Sequence, residues 1–421
     1  MSRSDKHGEP PTVTAVVRGQ GELIGLLKAG GYDMDERMKD GRTGLHVAGM
    51  LGRAGSVREL IHAGAEVGAK DRAEETMVHW AAEYGHVEVL KTVEEECGKE
   101  TLRTLMMEKD NAGRTCAHLA SYRGHLEVVR YAVETCGEEV LREKDKEGYT
   151  CAHMASHGGH LEVVRYAAET CGEEMLREKA NDGRTCAHWA SEGGHMEVLR
   201  YAAETCGEEV LREKAMHCMT CAHFASHGGH LEVVRYAAET CGEEVLREKD
   251  EDGRTCAHFA SAGGHLEVLR YVGETCGEEV LREKDKEGYT CAYVASYRGH
   301  LEVVRYAVEA CGEEVLREKD QYGITCAHLA SQGGHLEVLR YVAETCGEEL
   351  LRQKTIDGQT CALLASAGGH LEVVRYAVET CGEEELLREK DEYGRTCAHY
   401  ASEGGHLEVL RYLAETCGEE V

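Results

Sequence analysis

The segment TCAHMASHGGHLEVVRYAAETCGEEMLREK, Thr150 to Lys179, holds two cysteines and three histidines. Such side chains could hold zinc, which takes four Cys, His or carboxylate ligands in a structural site. They could also form a thiol nucleophile, because a cysteine in the first turn of a helix has its thiolate favoured by the helix dipole. His153 and His157 are four apart, as are His223 and His227, so each pair lies on one helix face and supplies two ligands of a possible four. Met216–Met219, MHCM, is a soft donor set of the kind that suits Cu(I) or haem.

The spacing of these residues argues against all of that chemistry. A cysteine after threonine recurs at Cys116, Cys151, Cys186, Cys221, Cys256, Cys291, Cys326, Cys361 and Cys397, every 35 residues until one extra Glu in CGEEELLREK lengthens the last step. A second series, before glycine, runs from Cys97 to Cys417, and the two account for 19 of the 20 cysteines, leaving Cys218 outside. Nine histidines fall in a T-x-x-H slot and ten in a G-H slot. Catalysis needs one nucleophile with its base and oxyanion donors in one place, not nine equivalent copies. Walker A, G-x-S-x-G and H-E-x-x-H patterns are all missing from the sequence. The sequence is therefore read as non-enzymatic, with no cofactor and no metal. The repeated cysteines are read as small buried residues, with a Cys136–Cys151 contact conceivable under oxidation.

The elements that carry these residues are short. In the 150–180 unit, Thr150 is a suitable N-cap, and a first helix runs from Cys151 until Gly158-Gly159 stops it. A second helix runs from about His160 to Cys171, with Leu161, Val164, Ala168 and Cys171 at helical steps and Gly172 after it. EEMLREK then reads as an extra helical turn with a Glu173–Arg177 pair. Helices this short bury an apolar face only against stacked neighbours, so the expected fold is an all-α solenoid of about eleven helix-turn-helix repeats.

The motif G-x-T-x-x-H-x-A-x-x-x-G-H-x-E-V-V resembles the ankyrin repeat. Asp40–Asp71, DGRTGLHVAGMLGRAGSVRELIHAGAEVGAKD, is similar to its common form, and Val13–Gly31 resembles an N-terminal capping repeat. The resemblance covers residues 11–421. The period is 35 rather than the family's 33 or so, and cysteine stands where proline usually follows the threonine. On this reading residues 1–10 are a disordered N-terminus, 11–40 a capping repeat, 41–110 two divergent repeats and 111–421 the 35-residue array. Tyr412–Val421 shows no polar capping repeat, so the chain is expected to continue or to dock end-on at Val421. The resemblance implies that His153 is a structural histidine tying adjacent repeats.

Charge limits the partners. The chain carries a formal net charge of −30, and its acidic residues are spread evenly. That distribution disfavours nucleic acid and favours basic protein segments. No apolar run of 18 residues exists, so no membrane insertion is expected; the start lacks a signal-like apolar region. Free thiols fit a reducing compartment, so the expectation is an intracellular protein, cytoplasmic or nuclear.

Comparing the repeats with one another separates constrained slots from free ones. Thr, Ala, Gly-His, Glu-Val and Arg-Tyr barely change and are read as interior. The slot after the structural histidine (Leu119, Met154, Trp189, Phe224, Phe259, Val294, Leu329, Leu364, Tyr400) stays apolar and is read as core. Two places change chemical type. At the end of the first helix these include Tyr122, Arg123, His157, Glu192, His227, Tyr297 and Arg298. In the loop before the threonine they include Arg114, Tyr149, Arg184, Arg254, Tyr289, Tyr322, Ile324 and Arg395. The resemblance implies that these slots face a concave, partner-binding side, and Tyr and Arg are frequent interface anchors. The expected function is a scaffold or adaptor binding a protein partner with a basic or extended segment. The alternatives are a structural subunit docking through the last repeat and a thiol-rich redox or metal-binding protein.

Overall fold

A computed structural model describes residues 9–381 and 385–417. The described chain is helical and, among the described residues, contains no strand. It divides into two compact units, 1–216 and 217–421. Among the described residues each unit holds six helix pairs, the first unit opening with Pro11–Val17 and Glu22–Ala29, the second with Cys221–Gly228 and Leu231–Cys241. Residues 1–8 and 418–421 lie outside the described residues, so the expectations for a disordered start and for docking at Val421 fall outside them too.

The 150–180 unit shows why the sequence folds this way. Thr150 N-caps the helix Cys151–Gly158, and Gly159 ends it in the left-handed conformation at φ +76°. A side chain at Gly159 would strain that backbone and would also place its Cβ 2.4 Å from the His195 ring. The second helix spans Leu161–Cys171, and the expected extra turn is a 3₁₀ segment, Glu173–Leu176, with Met175 and Leu176 buried. Neither helix reaches the ~12–15 residues an isolated helix needs. Stacking compensates: within each unit the first helices of successive repeats pack on one another, over buried alanines and valines such as Ala152, Ala155, Val163 and Val164.

Two histidines per repeat join neighbours. His153 Nδ1 lies 3.2 Å from the Thr150 amide and 2.9 Å from its hydroxyl, and Nε2 lies 2.9 Å from the Glu178 carbonyl. An amide only donates, so Nδ1 accepts and Nε2–H donates, which fixes the neutral tautomer. His160 caps the second helix and reaches back, Nε2 lying 2.9 Å from the Tyr122 carbonyl in the preceding repeat. Most loops add a backbone hydrogen bond to the next, such as the Lys146 amide to the Ala112 carbonyl at 2.9 Å, and some add side-chain bonds, such as the Asn181 amide group to the Lys146 carbonyl at 3.0 Å.

Two expectations change. Arg177 pairs not with Glu173 but with Glu213 of the next repeat at 3.1 Å, because the 3₁₀ turn breaks the four-residue register. The Arg-Tyr slots are not interior. Arg165 is exposed, and arginines of this slot lie over the tyrosine of the following repeat, as in Arg130 over Tyr166 (4.7 Å), Arg270 over Tyr306 (4.6 Å) and Arg305 over Tyr341 (4.5 Å). Their constancy reflects an external cation–π ladder.

Burial holds the pKa of His46, His79, His118, His153, His188, His258 and His328 below the usual value of 6.5, His188 down to about 4. The unfolded chain therefore takes up protons first as pH falls. Stability should be intact above about 6.5 and drop between 6.5 and about 4. Urea unfolding at a series of pH values should show this fall, and His258→Ala should cost about 1–3 kcal/mol at pH 7.5 while flattening the profile.

Candidate partner-binding surface

In the first unit five of the sequence-selected residues form one patch around Trp189. Tyr149 leaves a loop pinned by Asp145, whose Oδ1 accepts from the amides of Glu147 and Tyr149 at 3.0 and 2.8 Å. The Tyr149 hydroxyl donates to Asp182 at 2.5 Å, and its ring meets Trp189 edge-on at 5.3 Å. The Arg184 guanidinium lies 4.5 Å above Trp189 and pairs with Glu192 at 2.6 Å. His157 lies 4.4 Å from Trp189 and 5.4 Å from Tyr122. Trp189 belongs to the slot read as core, yet it is only half-buried. That slot forms the floor of the surface, and the change of residue size along it was the signal that could have revealed this.

In the second unit the same slots surround a cleft of about 450 Å³. His227, Arg254, Tyr289, Tyr297 and Arg298 line it, over a floor of Phe259, Val294 and Leu329. Tyr293 also lines it. This residue occupies the structural-histidine slot, is 1% exposed, and donates to the carbonyls of Glu318 (2.8 Å) and Ile324. Tyr322 is 51% exposed in the adjoining loop, beside Ile324.

The remaining selected residues are each tied to a carboxylate, and the Arg123 guanidinium also lies 5.5 Å from the Tyr122 ring centroid. Arg114 is held by Asp110 at 2.7 Å and lies 3.6 Å from Glu75. Arg123 pairs with Glu83 at 2.7 Å. Arg395 is bound by Asp391 at 2.8 Å and donates to the Tyr400 hydroxyl at 2.7 Å.

The cysteines are placed for packing. All nine that follow threonine are buried. Cys151 does sit at the first helical position, but burial outweighs the dipole and pushes its thiol up to about 12; Cys256 and Cys326 behave alike. Each of these thiols meets the serine of the preceding repeat, Ser121, Ser226 and Ser296 respectively. Those three hydroxyls are buried with no hydrogen-bond partner. At Met216–Cys218, His217 and Cys218 hold positive φ of 58° and 61°, and Cys218 stands where other repeats place glycine. His217 pairs with Glu251 at 3.0 Å. Among the described residues no three His, Cys, Asp or Glu side chains gather as a metal site.

Family models for ankyrin repeats match the chain almost throughout. The three-copy form covers 12–103, 93–173, 135–214, 274–354 and 346–421, and the many-copy form covers 222–272. The chain belongs to the ankyrin-repeat family. Over 85 residues it is 39% identical to neurogenic locus notch homolog protein 1 of Xenopus tropicalis and to neurogenic locus notch homolog protein 2 of Homo sapiens. It is 36% identical to the Mus musculus homolog protein 1. Those matches cover 20% of this chain and 3% of each relative's length. Ankyrin repeats form a protein–protein interaction domain, typically non-enzymatic. Among the described residues no helix of this ankyrin array is long and apolar enough to cross a membrane.

Thiol labelling should follow burial. In the native ankyrin array Cys218, which is exposed, should react with a chromogenic disulfide within minutes, whereas the nine thiols after threonine should react only on unfolding. Fast labelling of Cys256 in the folded protein would contradict the packing role.

Proposed function

We propose that the chain is a non-catalytic scaffold that binds a protein partner along the face made by the loop tips and the ends of the first helices. The observation that carries this is the second-unit cleft, which gathers Tyr289, Tyr297, Arg254, Arg298 and His227 from the two slots that vary in chemical type. Tyr297 is 44% exposed and Tyr122 38%, so both offer rigid amphipathic rings for contact. An extended segment suits a surface that repeats every 35 residues, and the net charge of −30 favours a segment with basic residues. The helix pair Pro11–Val17 and Glu22–Ala29 would then serve as the N-terminal cap. A thiol-based function draws no support from buried cysteines whose pKa burial raises.

A photo-crosslinker at position 297 should capture a specific protein from native lysate, and one at position 235, on the Arg-Tyr ladder, should not. The same product should disappear when the 297 probe is carried with Tyr289→Ala and Phe259→Ala. Equal capture from both positions would refute the proposed face.

A further inference from the structure

The Tyr-Arg pair at the end of the first helix occurs twice, and the two copies differ in one neighbour. Arg123 of the first unit lies 5.5 Å over the Tyr122 ring and is bound by Glu83, whose Oε1 accepts from Nη2 at 2.7 Å and from Nε at 3.3 Å. Arg298 of the second unit lies 5.8 Å over the Tyr297 ring, so the two guanidinium groups are held against their tyrosines alike. Glu83 stands seven residues after the threonine of the preceding repeat, Thr76; seven after Thr255 stands Ala262. The backbone is equivalent at both places. His125 Nε2 meets the Glu83 carbonyl at 2.9 Å, and His300 Nε2 meets the Ala262 carbonyl at 3.1 Å.

Arg298 is therefore a cation without the carboxylate that its counterpart has, in a chain of net charge −30. It is exposed and pairs with no carboxylate among the described residues. Both Arg298 and Ala262 line the second-unit cleft, beside Tyr297 and over the floor of Phe259 and Leu329. The other charges at the cleft are engaged elsewhere. Arg254 is neutralised by Asp250 and Asp252 at 2.7 and 2.9 Å. Asp285 takes the amides of Glu287 and Tyr289 with Oδ1, at 3.0 and 2.8 Å, in the loop before the helix Cys291–Arg298. Arg298 ends that helix, about 12 Å further along its axis.

We propose that this cleft takes a glutamate of an extended partner segment, its carboxylate bound by Arg298 above Ala262 as Glu83 binds Arg123 in the first unit. This anchor rests on the binding face described under Proposed function and adds to it one acidic residue within a segment otherwise basic. The guanidinium fork suits a carboxylate, and apolar and aromatic walls raise the strength of such a pair above its worth in open water. An apolar side chain accompanies the glutamate. Side chains two apart in an extended segment point the same way, so one faces Arg298 while the other reaches the floor at Phe259, one turn before Ala262 on the helix Cys256–Gly263.

The test titrates the full chain into fluorescent GKLSEKG, GKLSQKG and GKLSKKG, read by anisotropy at physiological salt. The general field of so acidic a chain favours the glutamine and lysine peptides, so tighter binding of the glutamate peptide reports a local cation. That peptide should bind saturably, at least about fivefold more tightly than either counterpart. Arg298→Gln should remove the preference. Ala262→Glu supplies the carboxylate from within and should remove it too. Equal or tighter binding of the glutamine peptide, a preference that survives either substitution, or no saturation by about 1 mM protein would each overturn the proposal. The two readings fail separately. A 297 crosslink that persists unchanged in Ala262→Glu sinks the glutamate anchor alone, whereas loss of the position-specific crosslink sinks the binding face itself.

Discussion

The T-x-x-H box is the interaction on which the rest of the array depends. Its histidine accepts from the threonine amide, which closes the start of the first helix, and donates to a carbonyl of the next repeat, as His118 does to Tyr149 at 3.1 Å. One buried ring therefore sets both the local turn and the distance to the neighbour. The ring does this only when neutral, and burial keeps it so. Two departures that keep the threonine show the division of labour. Tyr293 keeps the outward donation, to Glu318 and Ile324, but leaves the Thr290 hydroxyl buried without a partner. Leu363 makes no outward bond, and Thr360 is left to cap the Leu363 amide at 3.4 Å.

Much of this was legible because the signals are local. Thr150 as N-cap, Gly159 as stop and Gly172 as the end of the second helix are each fixed by a few neighbouring residues. What was misread depends on partners one repeat away. The constancy of Arg-Tyr looked like burial, but Arg130 meets Tyr166 across 36 residues on the outside, where no three- or four-residue rule reaches. Arg177 likewise finds Glu213 rather than the nearby Glu173. The cysteine after threonine looked like a candidate nucleophile by position alone. Its surroundings, a closed interior and the serine of the preceding repeat, come from the stack rather than from the helix that carries it.

The proposed binding face was legible as a set of variable slots but not as two surfaces of different character. In the first unit Trp189 fills the space beside Tyr149, and Asp182 takes the tyrosine hydroxyl. In the second, Leu329 and Tyr322 occupy the corresponding positions, so the space beside Tyr289 stays open. Arg123 has Glu83 across from it, whereas Arg298 has Ala262. The same Tyr-Arg pair is thus locked into the surface in one unit and lines a cleft in the other. Neither slot alone carries that information; the residue one repeat away does.

The missing staple at Leu363 has a mechanical consequence. Each joint in the array resists separation through its own few polar links, so tension applied along the chain loads the joints in series. Between the repeat that begins at Cys361 and the one at Cys397, the ring's forward link is gone, while the bonds from His406 to the Ala367 carbonyl at 2.9 Å, from the Glu392 amide to the Asp357 carbonyl at 3.0 Å and from the Gln359 amide group to the Tyr400 hydroxyl at 2.7 Å remain. Under pull from its carboxyl end, that joint meets the load without the buried ring bond that His328 makes to the Gln353 carbonyl one joint earlier.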